Sequence, residues 1–246
     1  MQNLESSIKE IIYTQVEQAK TTTRFRKPVV GFASATDPLF DKIKELIGPH
    51  HLHPTEVLPE AKTVIAYFLP FAEDIVNANR KAAYVAREWS VAYIEGNKVI
   101  NTISEELQKE LAKAEIQAAT QPATHNFNEQ DLTAMWSHKS AAFVAGLGRF
   151  GLNRMLITPE GCAGRFGSIV ISAEIQATPR PIQEYCHYLK GKKCVFCVNN
   201  CPTGALTVEN LDKKKCYQRL LEVDKSFPDL GLCDVCGKCA IGPCAY

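Results

Sequence analysis

The sequence predicts an α+β protein in two parts, an α/β domain over residues 1–180 followed by a small cysteine-rich module over residues 181–246. Three observations predict it. Apolar residues recur at helical spacing in several segments of the first three quarters. Short β-branched and aromatic runs lie between those segments. Nine of the ten cysteines fall in the last quarter.

Taken in order, Leu4, Ile8, Ile11, Ile12 and Val16 lie on one face and predict an amphipathic helix in the first twenty residues. After the basic stretch Arg24-Phe25-Arg26-Lys27, the run Pro28-Val29-Val30-Gly31-Phe32 has strand composition. Asp37-Pro38 is a helix start, because an acidic oxygen caps and a proline gives up nothing at the first turn. That helix is expected to reach about Ile47 and stop at Gly48-Pro49. Thr63–Phe68 reads as a buried strand ended by Pro70. From about Lys81 to Ile116 the pattern is helical, with Ile100, Ile103, Leu107 and Leu111 on one stripe and a break or kink expected at Gly96. Residues 117–130 read as a polar loop, and a short helix is expected from Asp131 to about Val144. Met155–Thr158 and Ser168–Ile175 are two strand candidates joined by a glycine-containing connection. Pro179 and Pro181 then mark a linker into the cysteine tail.

Composition narrows the class. With 46% hydrophobic residues in 246, the chain fits a globular protein rather than a disordered one. A formal net charge of +1 gives a nucleic-acid partner no support from bulk electrostatics. The start MQNLESSIKEIIYTQ lacks the pattern of a signal peptide, and no apolar run is long enough to span a bilayer. A cytoplasmic location is the expectation, where clustered thiols bind metal more often than they form disulfides.

The tail carries the chemistry. It contains Cys194-x-x-Cys197-x-x-x-Cys201-Pro202 and Cys233-x-x-Cys236-x-x-Cys239, with Cys186, Cys216 and Cys244 around them. Such spacing lets one loop present several sulfurs to one inorganic cluster, and a Cys-Pro closes each half of the bacterial two-cluster ferredoxin pattern. Zinc is the rival, since paired CxxC units also build tetrahedral sites. Nine thiols exceed what one or two zinc sites need, and Cys-Pro favours iron–sulfur, so the reading is a ferredoxin-like site for two 4Fe–4S clusters. Neither motif is regular. Position 191, where a cysteine is expected, is Gly191, and Cys186 is the substitute. The expected arrangement puts Cys186, Cys194 and Cys197 on one cluster, completed from the far end of the tail. Cys201 joins three of Cys216, Cys233, Cys236 and Cys239 on the other. Eight ligands are needed, which leaves one of Cys216, Cys239 and Cys244 as the candidate free thiol.

Other signals are read against their structural alternatives. Gly146-Leu147-Gly148-Arg149-Phe150-Gly151 matches G-x-G-x-x-G, but it follows a helical pattern and leads into a strand, the reverse of a dinucleotide site. A turn allowing close backbone approach, to a partner helix or to a ligand, is the better reading. His50, His51 and His53 read as a solvated loop, Cys162 as a small buried residue, and Trp89 and Trp136 as core. His138-Lys139 either lines a site or lies on the surface.

The block HKSAAFVAGLGRFGLNRMLITPEGCAGRFGSIVIS followed by CVFCVNNCPTGAL resembles the epoxyqueuosine reductase family, which is related to the reductive dehalogenases. The match rests on Ala145-Gly146-Leu147-Gly148, Gly151, Leu156-Ile157, Gly167-Ser168 and Cys201-Pro202-Thr203-Gly204-Ala205, with Cys216 between the motifs. The resemblance implies a nitroreductase-like α/β domain binding a corrinoid (cobalamin), followed by a ferredoxin-like domain with two 4Fe–4S clusters. Gly146, Leu147, Gly148, Gly151 and Asn153 would then lie against the corrinoid, and the clusters would deliver single electrons to it. The family carries an acidic proton donor before the glycine turn. Here Asp131 lies near that place without the proline that should follow, and the acidic partner is replaced around His138, so these two are the catalytic candidates. The helical extension of tRNA-acting members is not in this sequence.

The sequence thus points to an iron–sulfur oxidoreductase, supplied by an external flavodoxin- or ferredoxin-type donor, that passes electrons to a corrinoid-type cofactor or a small-molecule substrate. The alternative is a non-catalytic electron carrier or a reductive activator of a partner corrinoid protein.

Overall fold

In the computed structural model, which describes residues 3–246, the chain order is helix α1 (Leu4–Glu17), strand β1 (Val29–Ser34), α2 (Leu39–Ile47), α3 (Pro54–Val57), β2 (Thr63–Pro70), α4 (Glu73–Lys81), α5 (Arg87–Ala112), β3 (Ala118–Thr120), β4 (Phe127–Asn128), β5 (Thr133–Ala134), α6 (His138–Val144), β6 (Arg149–Phe150), β7 (Leu156–Ile157), β8 (Gly164–Ile171), α7 (Phe196–Asn199) and α8 (Lys213–Ser226). A short 3-10 turn covers Lys238–Ala240. The central sheet has the order β1-β2-β8-β3, and each pairing is antiparallel. Strand β2 pairs in full with β8, from Thr63 opposite Ile171 to Pro70 opposite Gly164.

Every residue of β2 is buried, which is why TVIAYFLP lacks the alternation of a half-exposed strand. Val64, Ala66 and Phe68 point to one face, where they meet Phe40 of α2, Trp136, and Ala141, Ala142 and Val144 of α6. Ile65, Tyr67 and Leu69 point to the other, where they meet Ile8 and Ile12 of α1 and the Ile100, Ile103 and Leu107 stripe of α5. The sheet is therefore the middle of three layers. A third apolar cluster joins Phe71, Val76 and Trp89 to Leu152, Ile157 and Cys162, and to Cys186, Ile241 and Ala245 of the tail. The tail thus shares a core with one end of the sheet. Its end is also bonded there: the Cys162 N–H donates to the Cys244 carbonyl at 3.0 Å and the Ala163 N–H to the Ala245 carbonyl at 3.1 Å.

Several elements depart from the sequence expectation. Helix α5 runs unbroken through Gly96. A Cβ there would lie 2.8 Å from Cγ of Arg165, so the glycine clears space for that arginine instead of bending the helix. Part of the 117–130 loop is strand β3 on the sheet edge. The helix expected from Asp131 starts at His138, where Ser137 Oγ accepts from the Ser140 N–H at 3.1 Å, after a small β4–β5 hairpin. The second glycine-flanked strand occupies Gly164–Ile171 rather than Ser168–Ile175. The histidine segment is not a solvated loop: His51 is buried and stacks on Trp136, and His53 caps α3. Among the described residues no helix is long and apolar enough to cross a membrane.

Candidate functional site

The tail is mostly loop, with its cysteines held by short hydrogen-bonded turns. These place eight of them around two spaces. Cys186, Cys194, Cys197 and Cys244 line a narrow cavity together with His187, Phe196 and Pro243. Cys201, Cys216, Cys236 and Cys239 line one side of a larger cavity of about 410 Å³, with Cys162 deeper in its wall. Cys239 and Asn153 border both spaces. The chain crosses over between them, since Cys201 follows the first motif yet faces the second space, and Cys244 does the reverse. Cys233 lines neither cavity. It is fully buried, and its N–H donates to Asp224 Oδ1 at 2.7 Å.

Burial dominates the thiol chemistry. It pushes Cys197 up to about 11, helped by Cys244 and Cys186 nearby. It pushes Cys216 up to about 11 and Cys239 up to about 12, each further raised by Cys236. Cys201 goes the other way: burial would raise it, but donors including the Leu206 N–H at 3.4 Å outweigh that and lower it. Cys244 is lowered chiefly by a hydrogen bond with Cys162, while Cys162, itself buried, is raised by the same bond. The Leu152 N–H points at Cys186 Sγ at 3.5 Å, and Asn153 Nδ2 at Cys162 Sγ at 3.5 Å and at the Cys239 carbonyl at 3.2 Å. Among the described residues, no three His, Cys, Asp or Glu side chains converge into a set for one metal ion.

The larger cavity is lined by the aromatics Phe71, Trp89, Tyr93, Phe127 and Tyr217, by the cations Lys139, Arg154, Arg165, Arg219 and Lys238, and by one carboxylate, Asp234. Asp234 is 7% exposed, accepts from Tyr93 Oη at 2.8 Å and lies 3.4 Å from His125 Nε2. Burial raises the Tyr93 phenol to about 12, keeping its proton on. The Arg165 guanidinium lies 4.5 Å from the Tyr93 ring centroid, is tied to Asn97 Oδ1 and the Ala123 carbonyl, and is lowered by burial. Two buried donors in this wall, Trp89 Nε1 and Arg219 Nε, have no hydrogen-bond partner.

Of the other residues that the sequence singles out, Trp89, Lys139 and Asn153 line the large cavity and the rest fall elsewhere. Asp131 is exposed on the β4–β5 hairpin, does not line the cavity, and is held below the usual carboxylate range by Thr133. His138 is buried on α6, with Nε2 donating to the Pro122 carbonyl at 3.0 Å and Nδ1 bonded to Ser168 Oγ at 2.7 Å. It borders a neighbouring space of about 200 Å³, not the large cavity. Gly146, Leu147 and Gly148 also stand apart from the large cavity, because their neighbours are protein. A Cβ on Gly148 would lie 2.1 Å from the Ile157 carbonyl oxygen, so the glycine is there for backbone approach within the fold. Gly151 packs on the Ile157 side chain, and only Asn153 of this group reaches the cavities. Tyr93, Arg165 and Asp234 escaped the sequence reading. The signal for Asp234 was its place inside Cys233-Asp234-Val235-Cys236, whereas Tyr93 and Arg165 sit in ordinary helix and strand patterns.

The chain has known relatives in sequence and in fold. Curated proteins named epoxyqueuosine reductase, from Bacillus cereus, Staphylococcus aureus and Bacillus anthracis, are 23–27% identical over 81% of the chain. The chain is similar to epoxyqueuosine reductase. It spans about half of these relatives, 54% of their length. The structure of epoxyqueuosine reductase from Streptococcus thermophilus superimposes with a TM-score of 0.59 at 18% identity, over 96% of this chain and 66% of that one. A reductive dehalogenase, whose structure was read as suggesting a mechanism for B12-dependent dehalogenation, gives a TM-score of 0.60 at 15% identity, over 95% of this chain and 30% of that one. No family model matches the chain.

Proposed function

We propose that the chain is an iron–sulfur oxidoreductase in which the eight cavity-lining cysteines of the tail hold two 4Fe–4S clusters, and that it delivers electrons to a small molecule in the large cavity. The supporting observation is the partition of the cysteines into two groups of four, with Cys201 and Cys244 exchanged between motifs in the crossed manner of two-cluster ferredoxins. The donor set fits clusters on two further counts. Trp89 Nε1 and Arg219 Nε are buried donors lacking acceptors, and sulfide or thiolate in the large cavity would supply them. The five cations of the wall offset the negative charge that four thiolates bring.

The clusters, when bound, supply one-electron transfer. The chain's residues do the rest. Cys186, Cys194, Cys197 and Cys244, the outer set, would hold the group on the tail side, and Cys201, Cys216, Cys236 and Cys239, the inner set, would hold the one facing the large cavity. Asn153 braces the boundary between the two sets. Tyr93, kept protonated and hydrogen-bonded to Asp234, stands in the cavity wall as a proton source, with His125 beside Asp234. The aromatic wall excludes water, and Arg165 favours an anionic or electron-rich ligand.

The cavity of about 410 Å³ opens to solvent and is of a size that takes a drug-sized molecule. Gly146, Leu147 and Gly148 pack on protein and Asn153 reaches the cavity, so a corrinoid held here would rest on the cavity lining and not on the glycine turn. In a second reading the same clusters would reduce a separate corrinoid protein.

The test is iron analysis and low-temperature EPR of protein purified without oxygen. Wild type and Cys233→Ala should each carry about eight irons per chain, and Cys239→Ala about half of that. Cys201→Ala should disturb the cluster facing Cys216 and Cys236. Zinc without iron in the wild type, or iron loss in Cys233→Ala alone, would sink the assignment.

A further inference from the structure

The pattern break at the head of the first motif leads to an inference resting on the cluster reading above. Two residues would normally separate the first pair of cysteines; here seven separate Cys186 from Cys194. The inserted residues are ordered. The Lys190 N–H donates to the Cys186 carbonyl at 3.0 Å, the Gly191 N–H to Tyr188 at 2.9 Å and the Lys192 N–H to His187 at 3.0 Å. The turn closes at Gly191, whose φ is 80° and whose missing Cβ would meet nothing within 4 Å, so it projects into solvent.

The surface this turn presents has a definite character. Lys190, Lys192 and Lys193 are exposed, and from Tyr185 to Asn210 the only carboxylate is Glu209. Leu189 is 48% exposed and stands beside a groove of about 420 Å³ lined by Phe150, Leu152, Tyr188 and Val208. The groove reaches the cysteine set directly, since the Leu152 N–H lies 3.5 Å from Cys186 Sγ. In a chain whose net charge is only +1, three lysines around one exposed leucine, bracketed by two thiols of the outer set, make a local cationic face with an apolar centre.

We infer that residues 186–194 are the docking loop for an acidic one-electron carrier protein, which feeds the cluster held by Cys186, Cys194, Cys197 and Cys244. Electron-transfer complexes are small and short-lived, and opposite charge speeds their encounter without requiring a large interface. The step is a bare electron exchange: the carrier loses one electron, the outer cluster gains it, and no bond or proton moves. The lysines steer, and Leu189 with its groove sets the approach.

Two proteins decide it, wild type and the triple variant Lys190→Glu, Lys192→Glu, Lys193→Glu. Each is assayed for iron and reduced without oxygen, first by dithionite and then by a reduced acidic bacterial ferredoxin. The two should match in iron content and in the dithionite end point. The ferredoxin rate should fall at least about tenfold in the variant at low salt, and the wild-type rate should drop as salt is added. Equal ferredoxin rates, or a wild-type rate indifferent to salt, would overturn the inference. So would a tRNA transcript that binds wild type but not the variant while ferredoxin rates stay equal, because the lysines would then serve nucleic acid. A wild type without iron removes the cluster reading and this inference together, and the iron assay reveals it before any carrier is added.

Discussion

His138 shows how a residue that looks catalytic in sequence becomes structural in the fold. Its ring joins Ser168, Trp136 and Pro122 in one closed network, with Trp136 Nε1 donating to Ser168 Oγ at 2.9 Å. Burial lowers its pKa to about 4, so the folded state holds it neutral. The unfolded chain takes up the proton near the ordinary histidine value of about 6.5. The stability this provides is therefore complete above about 6.5 and is lost as pH falls toward 4. Urea titrations between pH 7 and 4.5 should show that loss in wild type and a shallower one in His138→Asn; parallel slopes would refute the assignment. The two cysteine sets divide in the same way. That Cys186 lines one cavity with Cys194 and Cys197, and that Cys201 lines the other, agrees with the grouping expected from spacing. The spacing left Cys233 among the expected ligands and made Cys216, Cys239 or Cys244 the spare; the proposed assignment leaves out Cys233, which borders neither cavity. It is turned toward Asp224, and the direction of a side chain in a loop has no period to read.

At the level of elements, legibility follows burial. Strand β2 and the stripe of α5 were readable because each meets a continuous apolar surface. Leu107 is fully buried against the sheet, so Leu107→Ala should destabilise by about 2–5 kcal/mol through lost burial and a residual cavity. Equilibrium urea unfolding measures it, and a cost below about 1 kcal/mol would mean that α5 is not the lid of that layer. What could not be read was the passage of α5 through Gly96, since Arg165 arrives there from a strand almost seventy residues later. Strand β3 was hidden for a related reason: Ala118–Thr120 is short and half-buried, and it becomes a strand only because the β8 edge is there to pair with.

On the scale of the whole molecule, the proposed clusters would couple metal loading to folding through the thiols. In the metal-free chain, Cys216 and Cys197 are raised to about 11 and Cys239 to about 12, above the ordinary thiol value near 8.5. Raised acids of this kind stabilise the fold fully below the unfolded value, and that contribution is lost as pH climbs toward 11–12. Metal-free protein should melt several degrees lower at pH 10 than at pH 8, while iron-loaded protein, with its thiolates already committed, should change less. Thermal scans of the two forms compare them directly, and equal shifts would mean that the thiols are not linked to folding.

The bonds from Cys162 and Ala163 to Cys244 and Ala245 also bear on how the protein is made. Cys186, Cys194 and Cys197 precede Cys244 by some fifty residues, and Cys201 and Cys216 likewise precede Cys239. On the proposed assignment neither set is complete until the last stretch of the sequence packs onto the end of the sheet, where the Cys162 and Ala163 N–H groups hold Cys244 and Ala245. Closing both sets and seating that stretch would then be one event.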